Sequence, residues 1–285
     1  MQRIEHHSSP VNQLYKMVNL RDVGINPNAT ISTFFKKEVE YVNEHESIYK
    51  VVEKITKTGF RRFPVVSVKK FPRRKVTLIG VVTAMDILDA FLRDVDFNKK
   101  ITEIMSRDAI FCYDFDSIQT VLKKFKFAKR GGFPIVDEKK NLIGIITEHD
   151  ICKLFLGHKF NIKIEQAMTR KPLFVTPVRF YDVLNTLVNT RLRKLPVVDN
   201  NKLSGLVTDR LCLDFIKTNN FQKNRLLINI KDVMIKNIYT ISPETDISKA
   251  IELLIQYRLG GLLITTNSNL KGIITERDIL GKIIA

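Results

Sequence analysis

Cysteine is scarce in this chain of 285 residues: three thiols, Cys112, Cys152 and Cys212, stand far apart. None belongs to a Cys-x-x-Cys pair and none has a histidine near enough to complete a metal site, so the three are expected to be buried thiols. Glycine and proline are few, twelve and nine, which excludes collagen-like and low-complexity chains. No window approaches eighteen uninterrupted apolar residues, and the opening MQRIEHHSSP has no apolar stretch after a basic one. Neither a membrane span nor a secretory signal is therefore expected, and the cytoplasm is the expected compartment. Acids are in deficit, 30 against 47 Lys and Arg, for a formal charge of +17. That balance predicts attraction to something anionic, whether nucleotide, nucleic acid or acidic partner, although scattered lysines also serve simply to keep a chain soluble. There is no Walker A loop, no His-Glu-x-x-His and no nucleophile elbow, and histidines number five, so the chain does not read as an enzyme.

What the chain does have is apolar content, 44% of residues, enough for one large domain or two ordinary ones. It also has an internal repeat. The pattern occurs as Gly80-Val81-Val82-Thr83-Ala84-Met85-Asp86, Gly144-Ile145-Ile146-Thr147-Glu148-His149-Asp150, Gly205-Leu206-Val207-Thr208-Asp209-Arg210-Leu211 and Gly272-Ile273-Ile274-Thr275-Glu276-Arg277-Asp278, with glycines 64, 61 and 67 residues apart. A strand precedes each: Phe63-Pro64-Val65-Val66, Phe133-Pro134-Ile135-Val136, Leu195-Pro196-Val197-Val198 and, without proline, Leu262-Leu263-Ile264. The later repeats open on Ile104-Met105-Ser106, Ala167-Met168-Thr169 and Val233-Met234-Ile235, followed by a short strand such as Leu173-Phe174-Val175-Thr176, whereas the first has Phe34-Phe35-Lys36. Between opening strand and Pro-led strand, apolar residues fall at helical spacing, as in Ile247, Ala250, Ile251, Leu254 and Ile255, and Asp246 is placed to cap that helix. Another apolar-periodic stretch follows each Thr-x-x-Asp, so every repeat reads β-α-β-β-α, an α/β class. One repeat is too small to bury its apolar face alone, and a consecutive pair has the size of an independent domain.

These motifs resemble the cystathionine β-synthase (CBS) domain family. Four copies, over roughly residues 25 to 285, imply four CBS repeats paired into two Bateman modules. The expected boundaries are 1–19 for an unassigned N-terminal segment, 20–95, 96–157, 158–220 and 221–285 for the repeats, and 157–159 for the join between modules. The resemblance implies a regulatory, energy-sensing protein that binds adenosine-containing ligands (AMP, ADP, ATP or, less favoured, S-adenosylmethionine) in clefts between paired repeats. It implies no cofactor, an unidentified target protein, a homodimer as one arrangement, and no membrane. Nucleic acid bound through the basic surface is the alternative.

The residues make chemical sense of such a site. A carboxylate can accept both hydroxyls of a ribose, the role expected of Asp86, Asp150 and Asp278. Thr83, Thr147 and Thr275 stand at helix starts, where amides and dipole favour phosphate. His149 and Arg277 precede the acid and can neutralise phosphate, while Arg61 and Arg62 substitute in the first repeat, which has Met85 there. Leu173 and Ile273 offer apolar faces to a purine. Asp278, Thr275 and Arg277, completed by Thr169 and Leu173, are expected to form the best site. Capping alone also explains Thr-x-x-Asp. Leu211 replaces the acid in the third repeat, so that site is expected to be empty or structural. Gly131-Gly132 and Gly260-Gly261 mark either close approach to a ligand or a tight turn. The basic run 69–75 reads as a solvated loop or a polyanion contact, and His6-His7 lack partners at ligand spacing.

Overall fold

A computed structural model describes residues 18–71 and 74–282. His6, His7 and two positions of the basic run, Pro72 and Arg73, lie outside the described residues. Repeat 1 contains β1 (Val42–Asn43), α1 (Ile48–Thr58), β2 (Arg62–Lys69), β3 (Lys75–Thr83) and α2 (Ala84–Leu92). Repeat 2 contains β4 (Cys112–Tyr113), α3 (Ile118–Ala128), β5 (Gly132–Val136), β6 (Leu142–Thr147) and α4 (Glu148–Lys153). Repeat 3 opens on α5 (Ile164–Ala167) and β7 (Thr169–Arg170), then α6 (Phe180–Thr190), β8 (Lys194–Asp199), β9 (Lys202–Thr208) and α7 (Asp209–Thr218). Repeat 4 has β10 (Thr240–Ile241), α8 (Ile247–Tyr257), β11 (Leu262–Thr266), β12 (Asn269–Ile274) and α9 (Glu276–Lys282).

Local chemistry sets these limits. The Ser47 side chain accepts from Lys50 N to start α1, and Gly59, at φ 72°, ends it in the left-handed conformation glycine tolerates. On α1 the buried residues are Ile48, Val51, Val52 and Ile55, one face of a helix. The Pro-led and Gly-led strands pair antiparallel, and in repeats 1, 2 and 4 the opening strand lies parallel beside the Pro-led one. In repeat 3 the expected strand 173–176 shrinks to a single bridge, Val175 to Val197. Pro172 and Pro177 bracket it and lack the N–H a longer ladder needs.

Consecutive repeats interlock reciprocally. The opening segment of each crosses the Gly-led strand of its neighbour, as in Val81 with Ser106, Ile145 with Lys36, Leu206 with Ile235, and β12 with β7. The motif glycine is the contact point. A Cβ at Gly80 would lie 2.8 Å from both Met105 Sδ and the Ser106 carbonyl oxygen, and Met234 and Met168 cover Gly205 and Gly272 in the same way. Phe35 takes the methionine's place over Gly144, which accounts for Phe34-Phe35-Lys36 in the first repeat.

The amphipathic helices close differently. One buried cluster joins Phe63, Ile87 and Leu88 of repeat 1 to Phe180, Leu184 and Leu213 of repeat 3. The other joins Phe125, Phe133 and Ile151 of repeat 2 to Ile247, Leu254 and Ile279 of repeat 4, and takes in Leu20, Val23 and Ile31. A consecutive pair therefore shares its sheets, while its helical faces are buried by the other pair. Each fully buried Leu, Ile or Phe contributes about 1.5–3 kcal/mol, so the two pairs hold each other together. The cysteines are buried without disulfides; desolvation pushes the Cys112 thiol up to about 12.

Two outcomes follow. Cutting the chain at 157–159 leaves fragments that co-elute in size-exclusion chromatography until denaturant separates them; fragments that part in native buffer would show that each pair closes its own core. Gly80→Ala forces Met105 and the Ser106 carbonyl apart and lowers stability in urea titration by about 1–3 kcal/mol, the usual cost of overpacking. An unchanged midpoint would remove the glycine from the interlock.

Candidate functional site

Each motif threonine stands at the junction of a strand and the next helix, and its hydroxyl oxygen accepts from the N–H of that helix's third residue. Asp86 Oδ2 accepts from Thr83 N at 2.9 Å and Thr83 Oγ1 at 2.7 Å, and Asp150 and Asp278 repeat the arrangement with Thr147 and Thr275. One oxygen of each of these three acids is thus used in capping, and the other meets a different partner. Asp86 Oδ1 lies 3.5 Å from Arg191 Nη1, and Asp150 Oδ1 lies 3.6 Å from Lys153. Asp278 Oδ1 accepts from Thr169 Oγ1 at 3.0 Å. The structure therefore brings Thr169 to Thr275 and Asp278, and Ile273 sits opposite Thr169 in the ladder. Leu173 is half exposed on the segment that follows.

The basic residues are arranged across the repeats. Arg277 Nε donates to Glu148 Oε1 at 3.0 Å, and His149 Nδ1 lies 2.8 Å from Glu276 Oε1. A carboxylate only accepts, so Nδ1 must carry the proton. Repeats 2 and 4 thereby exchange their motif charges. His149 is turned to an acid rather than held free beside its own threonine, and Arg277 lines a cavity in the other module.

That cavity, about 560 Å³, opens between repeats 1 and 2 beside Thr83, Met85 and Asp86. Arg61 and Arg62 line it, joined by Arg191 and Arg193 from repeat 3, Arg277 from repeat 4, and Lys129 and Arg130 from repeat 2. Three acids accompany these seven cations: Asp86, Asp108 and the buried Asp209. Val81, Ala109, Ile110 and Phe133 supply an apolar wall. A smaller cavity, about 330 Å³, occupies the equivalent place between repeats 3 and 4, beside Thr208 and Leu211.

Room for this charge comes from the glycine pairs. A Cβ at Gly131 would meet Arg193 Nη2 at 2.9 Å, and one at Gly260 would meet Lys194 Nζ at 3.1 Å and Arg61 Nη1 at 3.2 Å. Arg62 also donates to the Gly132 carbonyl. Repeats 1 and 3 thus place a basic pair, Arg61-Arg62 and Arg193-Lys194, where repeats 2 and 4 place a glycine pair, and the cations occupy space that the glycines leave. Arg61 Nε stands 3.3 Å from Asp209 Oδ1, yet its N–H has no aligned acceptor. Desolvation, then Arg193, lowers Arg62 to about 10. Desolvation likewise lowers Arg193, and together with neighbouring Arg61 it brings Lys194 down to about 7. Burial and mutual repulsion thus both work against the charge of these cations.

Three of the cleft cations sit where a helix ends. Lys129, Arg191 and Arg258 hold the C-cap of α3, α6 and α8 with φ near 50°, at the position Gly59 fills in repeat 1. A non-glycine residue there costs roughly 1 kcal/mol, and all three line a cleft. Sequence reasoning missed Arg191, Arg193, Lys194 and Asp209. The signals were the alternation of basic and glycine pairs before each Pro-led strand, and a cation where a helix-ending glycine belongs. Among the described residues, no cluster of three His, Cys, Asp or Glu could hold a metal, and no helix is long and apolar enough to cross a membrane.

Comparisons with known proteins match this fold. The chain is 28% identical over 273 residues to the uncharacterized protein MJ1225 of Methanocaldococcus jannaschii, covering 86% of this chain and 95% of that one. The crystal structure of MJ1225, put forward as an archaeal homolog of g-AMPK, matches with a TM-score of 0.80 at 24% identity, over 88% of this chain and 99% of the other. A conserved protein of Pyrococcus horikoshii shares the fold at a TM-score of 0.61 and 17% identity, over 90% of this chain and all of its own. The CBS domain model matches residues 28–93, 101–157, 164–218 and 230–285. With four such matches in register over most of its length, the chain belongs to the CBS domain family.

Proposed function

We propose that this protein is a non-catalytic sensor of adenine nucleotides, AMP, ADP or ATP, which seat their phosphate on the central cations and their ribose against a Thr-x-x-Asp acid. The observation that carries this reading is the cavity beside Thr83 and Asp86, where seven cations converge on three acids. A bound phosphate relieves repulsion that the fold alone leaves uncompensated. The second oxygen of Asp86, now 3.5 Å from Arg191, would accept a ribose hydroxyl, and Ile110 and Val81 would give the base an apolar slot. Because cations from all four repeats meet at this centre, phosphate binding draws on both modules, and the change in their packing is what a target protein reads. Adenine nucleotides are preferred to S-adenosylmethionine because a sulfonium cation would add to the positive field rather than answer it.

Calorimetry tests the chemistry. AMP binds more tightly than adenosine, and the gap narrows as salt is raised because the contacts are partly exposed. Asp86→Asn, which keeps an oxygen for the cap, weakens AMP by about 1.5–3 kcal/mol, the usual worth of a hydrogen bond to a charged group. Equal binding of adenosine and AMP would reject the phosphate role of the cations. A steep salt dependence of RNA or DNA binding, with no nucleotide binding, would transfer the function to nucleic acid.

The centre also titrates. Lys194 changes charge near pH 7 in the folded chain, far below its value of 10.5 when unfolded. Between those limits the unfolded chain binds the extra proton, so unliganded protein gains stability as pH rises from about 7 toward 10. Lys194 lines the smaller cavity between repeats 3 and 4, so its titration bears on the stability of the unliganded fold. Thermal melts without nucleotide from about pH 7 to about pH 10 check that slope, and a Lys194→Met variant should flatten it.

A further inference from the structure

The basic run 69–75 contains one aromatic ring, Phe71, and no acid, and the fold brings further rings to it from other segments. In repeat 1 the hairpin ladder continues to Lys69 opposite Lys75, whereas in repeats 3 and 4 the turns close at once, Asp199 pairing with Lys202 and Thr266 with Asn269. The lengthened hairpin adds nothing to a core: Lys69, Lys70, Arg74 and Lys75 are exposed, and Phe71 is 89% exposed. Its base lies against the hairpin of repeat 2, where Leu78 N donates to the Lys140 carbonyl at 3.1 Å and Thr77 bridges Asn141. From there a row of rings runs outward. Lys140 Nζ stands 5.9 Å from the centre of the Phe111 ring, Phe111 meets Tyr113 edge-on at 5.4 Å, and Tyr113 stacks on Phe115 with centroids 4.9 Å apart and planes 8° from parallel. Phe115, which ends the row, is 56% exposed.

The fold does not require these rings. β1 and β4 hold the same place, Val42 opposite Val65 and Cys112 opposite Ile135, so Tyr113 and Phe115 correspond to Asn43 and His45, with which repeat 1 builds the same strand and turn. Apolar rings left in water are a cost that a partner removes. We propose that the extended basic hairpin of repeat 1 and the ring row Phe111, Tyr113 and Phe115 of repeat 2 form one docking surface for single-stranded nucleic acid. Phosphates lie along Lys69, Lys70, Arg74, Lys75 and Lys140, and unpaired bases stack on the open faces of Phe71 and Phe115. The neighbouring acids Asp116 and Asp137 are held internally, the first by Lys124 at 2.7 Å and the second by the Asn141 amide groups at 2.6 and 2.8 Å, and Asp114 and Glu138 are outnumbered by the cations. A duplex hides its base faces and an acidic peptide has no planar groups to offer the rings, so an unpaired strand answers both halves of the surface. None of these residues lines either cavity described above, and the inference does not depend on the nucleotide reading.

The chain contains no tryptophan, so Phe115→Trp places a single indole on this surface. In the full-length chain carrying that change, an oligothymidylate of about a dozen nucleotides, within the span of one stacking site, quenches the indole. Its affinity falls with salt at a log–log slope of roughly −2 to −3.5, the value for about three to five phosphate contacts on a single strand. Fluorescence anisotropy of the labelled oligonucleotide reads the other variants. Phe71→Ala with Phe115→Ala weakens binding by about tenfold or more and leaves the slope unchanged, whereas Lys69→Gln with Lys70→Gln makes the slope shallower by about 1.4. All four positions are exposed, and circular dichroism melts confirm that each variant folds. A duplex of the same length binds about tenfold more weakly or worse, because its bases cannot reach the rings. No binding of the oligonucleotide at low salt, equal binding of the duplex, or full affinity without the two rings would overturn the proposal. So would complete displacement of the oligonucleotide by AMP, which would place the strand in the clefts. Capture on phosphatidylserine vesicles through the same rings, with no oligonucleotide bound, would overturn it in favour of a membrane surface.

Discussion

Two basic pairs and two glycine pairs must share one centre, and the rest of the molecule depends on how they do so. Arg61-Arg62 and Arg193-Lys194 arrive from strands whose own repeats offer no space for them. The space is supplied by Gly131-Gly132 and Gly260-Gly261, where a Cβ would strike a guanidinium or an ammonium. Glu148 and Asp209, both buried, then hold part of the charge through Arg277, Arg193 and Arg61. Charges of one sign packed this tightly destabilise a fold unless something else holds it shut. Here that is the pair of apolar cores, each built from helices of two non-consecutive repeats. Stability is supplied at the periphery, so the centre is free to remain electrostatically unfinished.

Much of this was legible in the sequence, and the exceptions have physical reasons. The β-α-β-β-α order follows from hydrophobic periods that local structure obeys, and the motif threonines do cap helices as their position predicts. The recurring glycine was visible as a pattern but not as a contact. Its partner is a methionine in the neighbouring repeat, about 25 residues after Gly80 or 104 before Gly272, and no periodicity links such distances. The same limit hid the cores. Composition shows that a repeat has an apolar face to bury, but not which other repeat buries it, and the pairing of repeat 1 with 3 and 2 with 4 is a tertiary choice.

At the site, single residues were easier to place than their allegiances. Thr83, Asp86, Arg61 and Arg62 do meet at one cavity, and Thr169 does reach Asp278. Arg277 and His149 looked from sequence as though they served the threonine beside them, because one repeat was read at a time. In three dimensions they are exchanged between repeats, and Arg277 contributes to a cavity whose threonine lies nearly two hundred residues earlier. Lys129, Arg191 and Arg258 could have been found by asking why a left-handed helix cap lacks its glycine. In each case the strained cap places a cation in the lining of a cleft.

On the proposed reading, in which the cavities take anions, the shared centre sets how they communicate. Arg61 lines both the cavity between repeats 1 and 2 and the one between repeats 3 and 4. One guanidinium cannot answer two phosphates as fully as it answers one, so an anion in either cavity reduces the positive potential that the other presents. Electrostatics alone therefore makes the two sites compete for the same charge, with a coupling that is equal in both directions. Opposing this is the order that a first ligand imposes, since an anion that draws Arg61, Arg193 and Arg277 into fixed positions also fixes the repeats that carry them. Whether a second ligand gains or loses is set by which of these is larger, and both act through the same few side chains. A change at Arg61 thus alters both sites at once, whereas a change at Asp86 or Leu211 alters one. On that reading the acid that selects a ligand belongs to one cleft, while Arg61, which lines both, connects them.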